Sequence, residues 1–294
     1  MIFYFVPEAG IFGGVKVAFQ LVELLHRLGR PAVAVLPDGR APTWFASRAP
    51  VVAEAEAMAR IGPDDWLMLT WPPDHARLAA LPGRRVNHCQ GTDPRMDAIF
   101  ADEQVLVLTC WRQATRWVHE RFARLPVEVG ISIADEFFFA GGRKLDELVA
   151  YMPRRGNALA RRCMRAARTL DFLPIDGVHE RAVARLLSRA GIFVATAVGE
   201  EFGLPALEAM AAGCVVVSVP VKGGMEFLRD GENCIVADAS ELGERLDWIA
   251  RPENASLRCV LRQRAVATAM AYRRVVQQRR LADLLDGPLA ELGS

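Results

Sequence analysis

Apolar runs of strand length alternate with amphipathic stretches of helical length along almost the whole chain. A chain patterned this way buries its runs as parallel sheets covered by helices. In the first half the runs fall at 1–6, 31–36, 65–70, 85–89, 104–109 and 127–131, separated by helical stretches at 15–29, 72–80 and 111–123. Over 15–29 the spacing puts Val15, Ala18, Phe19, Val22, Leu25 and Leu28 on one face, and Gly29 follows as a stop. The apolar runs lapse near ADEFFFAGGRKLDE, where Gly141 and Gly142 sit beside charged residues. A second series then begins, with strands at 146–152, 169–174, 191–196, 214–219 and 233–236 and helices at 157–167, 179–188, 204–212 and 241–250. Residues 255–286 read as a long, arginine-rich helical tail. The expected fold class is α/β, with two Rossmann-like, doubly wound parallel-sheet domains at 1–140 and 141–254. A helical tail over 255–294 is expected to pack back towards the first domain.

Composition narrows the function classes. At 294 residues the length favours two domains of ordinary size, and 52% hydrophobic with 24% charged residues describes a soluble, well-cored protein. A net charge of +1 lacks the basic field that nucleic-acid binding requires, so no nucleic-acid partner is expected. No run reaches the roughly 18 apolar residues of a membrane helix. The N-terminal MIFYFVP has no preceding basic residues and runs straight into a glycine loop, so it reads as a first buried strand and not as a signal peptide. Six scattered cysteines, without metal or redox spacing, point to reduced thiols in a cytoplasmic protein. Only Lys16, Lys144 and Lys222 are lysines, so arginine carries nearly all the positive charge.

The segment GIFVATAVGEEFGLPALEAMAAGCVVVSV holds the most chemical information: a strand, a loop with Gly199 and Gly203, a short helix closed by Gly213, and another strand. Pro205 suits the first helical turn, where its missing amide proton is not needed. The amides of Gly203 and Leu204, with the positive end of the helix dipole, can hold a diphosphate. Glu208 can accept hydrogen bonds from a ribose diol, and Glu200 precedes it by eight positions, from where it can meet a sugar ring. Considered alone, Glu208 is equally a dipole-stabilising residue and the glycines are turn formers.

The run EEFGLPALEAMAAG from Glu200 to Gly213 resembles the donor-site signature of the family 4 retaining glycosyltransferases, or glycosyl transferases group 1. The resemblance implies a GT-B fold, whose two domains face a cleft, and transfer of a sugar from a nucleotide diphosphate sugar to an acceptor hydroxyl with retention. It also implies a role in glycan or glycoconjugate biosynthesis, with no cofactor beyond the nucleotide-sugar co-substrate. No Asp-x-Asp pair follows a strand, which agrees with a metal-independent reaction. Family members place an arginine and a lysine after the first strand of the second domain; Arg154 and Arg155 in AYMPRRGN are the nearest equivalents, with the lysine missing and the spacing compressed. Arg161 and Arg162 lie inside the next helix and are weaker candidates, and Glu226 follows Gly223 and Gly224 in a stretch one residue short of the usual pattern.

In the first domain, Gly13 and Gly14 open a helix after the first strand, allowing close approach of a sugar or phosphate, as paired glycines do in the family; Lys16 is a further anion contact to consider. The polar cluster VNHCQGTDPR ends strand 85–89, where open α/β sheets place ligands. His88, taken with Glu200 as the catalytic pair, and Gln90 and Asp93 on the acceptor side are therefore expected to wall the site; a purely structural histidine is the competing reading. Expected partners are the nucleotide-sugar donor, a glycan, lipid-linked or small-molecule acceptor, and peripheral contact with the inner face of a membrane through the tail. Competing readings of the chain are a nucleotide-sugar epimerase on the same architecture and a non-catalytic sugar-binding or partner subunit.

Overall fold

The computed structural model describes residues 1–139 and 142–292. The chain forms two compact units: Met1–Ser132 with Val275–Ser294, and Ile133–Arg274. The first carries strands β1 (Ile2–Phe5), β2 (Ala32–Leu36), β3 (Val51–Ala53), β4 (Trp66–Leu69), β5 (Arg84–Cys89), β6 (Val105–Thr109) and β7 (Val127–Glu128). Its helices are α1 (Gly13–Arg27), α2 (Glu54–Met58), α3 (Pro72–Leu78), α4 (Asp97–Ala101) and α5 (Arg112–Phe122). All seven strands pair in parallel in the order β3-β2-β1-β4-β5-β6-β7. β1 is buried along its length, and its Ile2 and Tyr4, with Val6 just after it, pack with Val15, Ala18, Phe19, Val22 and Leu25 of α1. This is the face that the 3.6-residue spacing anticipates. The chain stops being helical at Leu28, and Gly29 takes the left-handed φ of +76° that ends such a helix at low cost. The sequence pattern missed β3, a three-residue, half-buried edge strand too short to show alternation.

The second unit holds α6 (Glu136–Phe139), β8 (Leu145–Tyr151), α7 (Asn157–Ala166), β9 (Asp171–Pro174), α8 (Glu180–Arg189) and β10 (Ala190–Ala195). It continues with α9 (Leu204–Ala211), β11 (Val215–Ser218), β12 (Ile235–Val236), α10 (Leu242–Ala250) and α11 (Ala255–Ala269). Five parallel strands run in the order β12-β11-β10-β8-β9. Val149, Ile192, Val194, Val215 and Val217 from the three central strands form its core with Leu159, Leu246 and Leu261.

The domain boundary differs from the expected one. Ala140 and Gly141, where it was placed, lie outside the described residues, and the break falls between Ser132 and Ile133. Residues 133–139 go with the second unit because α6 packs against α8 and α9. The tail is likewise divided. α11 belongs to the second unit, where it packs on α9 and where Arg258, buried, donates to the carbonyls of Ile249 and Arg251 at 2.8 Å. Only Val275 onwards belongs to the first unit, through α12 (Arg274–Leu285) and the turns after it. Leu281, Leu285, Leu289 and Leu292 enter the core beside β1 and α1. Trp66 Nε1 donates to the Glu291 carbonyl at 3.1 Å, and Gln277 Nε2 to that of Gly130 at 2.8 Å. Five of the six free cysteines are buried and Cys259 is exposed. Among the described residues no helix is long and apolar enough to cross a membrane.

Because the last segment completes the first unit's core, Leu285→Ala should cost that unit about 2–5 kcal/mol, the range for a buried leucine. Denaturant unfolding monitored by tryptophan fluorescence measures it, and a loss below about 0.5 kcal/mol, the scale of surface changes, would mean the segment is merely attached.

Candidate functional site

In each sheet the chain starts in the middle, winds outward, then returns to the other side of its first strand. The order therefore reverses between β1 and β4 in the first unit and between β8 and β10 in the second. Helices leaving two such strands diverge onto opposite faces, and the gap at the carboxyl ends is where open α/β sheets bind ligands.

In the second unit the two loops at that point are fastened together. Gly156, in the loop after β8, has φ +76°, and a Cβ there would lie 1.9 Å from the Thr196 carbonyl oxygen, inside the loop after β10. Only glycine fits. Thr196 Oγ1 also donates to the Arg155 carbonyl at 3.4 Å, and Arg155 Nη1 pairs with Glu200 Oε2 at 3.0 Å. Arg154 reaches the other way, to Asp176 beyond β9 at 3.1 Å. Arg155 and Glu200 are thus brought together, and Arg154 is turned from them.

The loop then delivers the chain to α9. Gly203 stands at its N-cap with φ +86° and no side-chain cap, and Pro205 occupies the first turn, which has no acidic residue. The first bonds of the helix run from the amides of Ala206 and Leu207 to the Gly203 carbonyl. The Gly203 and Leu204 amides precede that ladder, the position from which helix N-termini hold anions. Glu208 lies one turn beyond Leu204 on the same face and is buried, 6% exposed. Phe202 anchors the turn from below, its ring 5.3 Å from Phe227 and 6.0 Å from Tyr272. Arg162 turns away, donating to the Ala239 carbonyl at 3.0 Å, and Glu226 lines a different recess with Arg229, Asn233 and Tyr272.

The first unit corrects two assignments. His88 was expected on an accessible wall; it is fully buried, with Nδ1 2.8 Å from the Tyr4 hydroxyl and Nε2 3.0 Å from Cys110 Sγ. With both nitrogens engaged inside the sheet, the ring is closed to solvent and reaches its surroundings through Tyr4 and Cys110. Burial pushes its pKa down to about 3, and pushes the Tyr4 phenol and Cys110 thiol upward. Asp93, expected on the acceptor side, instead caps the turn Pro94–Met96: it accepts from the Arg95 amide at 2.8 Å and pairs with the Arg95 guanidinium at 2.9 Å. Gln90 and Gly14 do come together. Gln90 Nε2 donates to the Tyr4 hydroxyl at 3.1 Å, and a Cβ on Gly14 would sit 2.6 Å from Gln90 Oε1. Gly13 is the first residue of α1, and Lys16, one turn on, is buried.

Sequence reasoning missed Gly156, Thr196, Glu201 and Lys222. A glycine directly after Arg154 and Arg155, ahead of a helix, was the available signal for the first. The others depend on how the loop after β11 folds back. Lys222 N donates to the Glu200 carbonyl at 3.2 Å, Gly223 N to that of Glu201 at 2.6 Å, and Lys222 Nζ pairs with Glu201 Oε1 at 2.6 Å.

This arrangement of parallel sheets defines a GT-B fold, which solved structures share over nearly the whole chain. Anabaena Alr3699/HepE in complex with UDP and glucose superposes with a TM-score of 0.77 at 12% identity, covering 97% of this chain and 99% of that one. Sucrose-phosphate synthase (tll1590) from Thermosynechococcus elongatus gives 0.72 at 13% identity, covering 98% and 99%. The family model Glycosyl transferases group 1 matches residues 107–251. An alpha-1,6-glucosyltransferase of Actinobacillus pleuropneumoniae serotype 7 (strain AP76) is 43% identical over 85 residues, 29% of this chain. The matched stretch spans 23% of that relative's length.

The buried ring of His88 gives a pH dependence with a definite sign. An unfolded histidine takes up a proton near pH 6.5 and the folded one only near 3, so the contribution of His88 to stability is full above 6.5 and is lost by up to about 1.4 kcal/mol per pH unit as the pH falls towards 3. Ring nitrogen shifts in an isotope-labelled sample should show His88 neutral at pH 5; a protonated ring there would refute the assignment.

Proposed function

We propose that the chain is a retaining, metal-independent glycosyltransferase that moves a sugar from a nucleoside diphosphate sugar to an acceptor hydroxyl, in the making of a glycan or glycoconjugate. One observation carries the reading. At the reversal point of the second sheet, an arginine-bearing loop and a glutamate-bearing loop are locked together at the mouth of α9, with a buried carboxylate one turn inside.

In this reading the Gly203 and Leu204 amides take the diphosphate, Glu208 takes the ribose diol, and Glu200 holds hydroxyls of the sugar. Arg155, and Arg154 once drawn from Asp176, meet the negative charge that grows on the departing diphosphate. Charge stabilised as it develops lowers the barrier without a bound ion. The bond from the anomeric carbon to the diphosphate breaks while the acceptor oxygen bonds on the same face and gives its hydroxyl proton to the departing phosphate oxygen. Gly13, Gly14 and Gln90 are the first-unit groups of this reading, with His88 acting behind Gln90 through Tyr4. The UDP and glucose named with the HepE structure make UDP-sugars the first donors to test. No cofactor beyond that co-substrate is invoked, and the acceptor is a glycan, lipid-linked or small-molecule hydroxyl.

Nucleoside diphosphates should raise the melting temperature of the wild type, and Glu208→Ala should weaken that binding by about tenfold or more, the loss of a hydrogen-bonding carboxylate. Incubation with labelled nucleotide sugars and an acceptor panel should give acceptor-dependent release of the diphosphate. An undiminished thermal shift in the variant, or an epimerised sugar formed without acceptor, would overturn the reading.

A further inference from the structure

In the donor reading the stretch after β8 offers the diphosphate two arginines, Arg154 and Arg155, and no lysine. The structure supplies a lysine from another direction. The turn after β11 leans directly on the turn that begins α9. A Cβ on Gly203 would meet Val221 Cγ1 at 3.2 Å, and one on Gly224 would lie 2.5 Å from the Phe202 carbonyl oxygen. Backbone bonds from Lys222 and Gly223 to the carbonyls of Glu200 and Glu201 fix the register of the two turns. Lys222 thereby follows directly on Val221, the residue that meets Gly203, with its ammonium on Glu201 Oε1 at 2.6 Å and about half its side chain exposed. The other two lysines are committed elsewhere. Lys16 is buried, and Lys144 donates to the carbonyls of Leu187 and Ala190.

Resting on the donor reading, we propose that Lys222 is a donor-phosphate contact, held by Glu201 until a diphosphate takes its ammonium. Glu200 and Glu201 then play matching parts on adjacent positions. Each occupies a cation, Arg155 and Lys222, that a diphosphate competes for. A phosphate oxygen is the stronger partner because it brings more than one negative charge to a half-exposed pair that is itself weakly held. A monophosphate seated on the α9 amides gains less from Lys222 than a diphosphate does.

Calorimetric titration of the full chain with UDP, UMP and uridine tests this. Lys222→Gln should lose about tenfold in UDP affinity, the scale of one charge-assisted bond, with less lost for UMP and none for uridine. Lys222→Arg should restore most of the loss, and Glu201→Gln should bind UDP at least as tightly as the wild type. Unchanged UDP affinity in Lys222→Gln would overturn the proposal. So would equal losses for UDP and uridine in Lys222→Gln and Glu201→Gln with a matching fall in melting temperature, because the pair would then only fasten the loop. A wild type that binds no nucleoside diphosphate across the common bases would remove the donor reading itself.

Discussion

The second unit depends on a single close approach: the backbone of Gly156 against the carbonyl of Thr196, where a methyl group would sit 1.9 Å from oxygen. The strands β8 and β10 are neighbours whose following segments must diverge, because the sheet order reverses between them. Without a tie, those segments would drift apart as ordinary surface loops. The glycine removes the side chain that would hold them apart, and its left-handed backbone turns the chain straight into α7. Arg155, one residue earlier, is then carried to Glu200, and Glu200 lies three residues before the N-cap of α9.

From that approach follows a site that is balanced before any ligand arrives. Arg154, Arg155 and Lys222 each face a carboxylate, Asp176, Glu200 and Glu201 respectively. All three pairs are substantially exposed, so each is weak and exchangeable. Main-chain amides at α9 cannot be neutralised in this way, and in the proposed reading they are what favours an anion there. The first unit shows the opposite use of polarity. Of its string of Gln90, Tyr4, His88 and Cys110, the last three are sealed from water and Gln90 is the half-buried end, so the string fixes a geometry.

Most of the architecture was legible because strand runs and helical periodicity are local signals. The α1 face, the buried central strands and the donor segment from Gly199 to Gly213 all appear in the order and at the positions that the pattern indicates. What was not legible depends on which side of a strand a residue faces and on which loop folds back on which. His88 sits one residue before the end of β5, and nothing in VNHCQGTDPR tells that its ring points at Tyr4 and Cys110, 84 and 22 positions away. Asp93 reads as a ligand-side carboxylate, yet with Pro94 after it, it is a helix cap of ordinary kind. The division of the tail at Val275 was hidden for the same reason. Arginine-rich helical sequence looks alike on both sides of the break, whereas leucines at 281, 285, 289 and 292 find the first core only in three dimensions.

The central claim is that the diphosphate of a nucleotide sugar sits where Gly156, Thr196 and the start of α9 meet. Amide hydrogen exchange with and without saturating UDP reads this position directly. Slowed exchange at Gly203 and Leu204, and in the segment from Arg155 to Gly156, is the result expected. Binding of UDP that leaves those amides unchanged and protects another part of the chain would contradict the account.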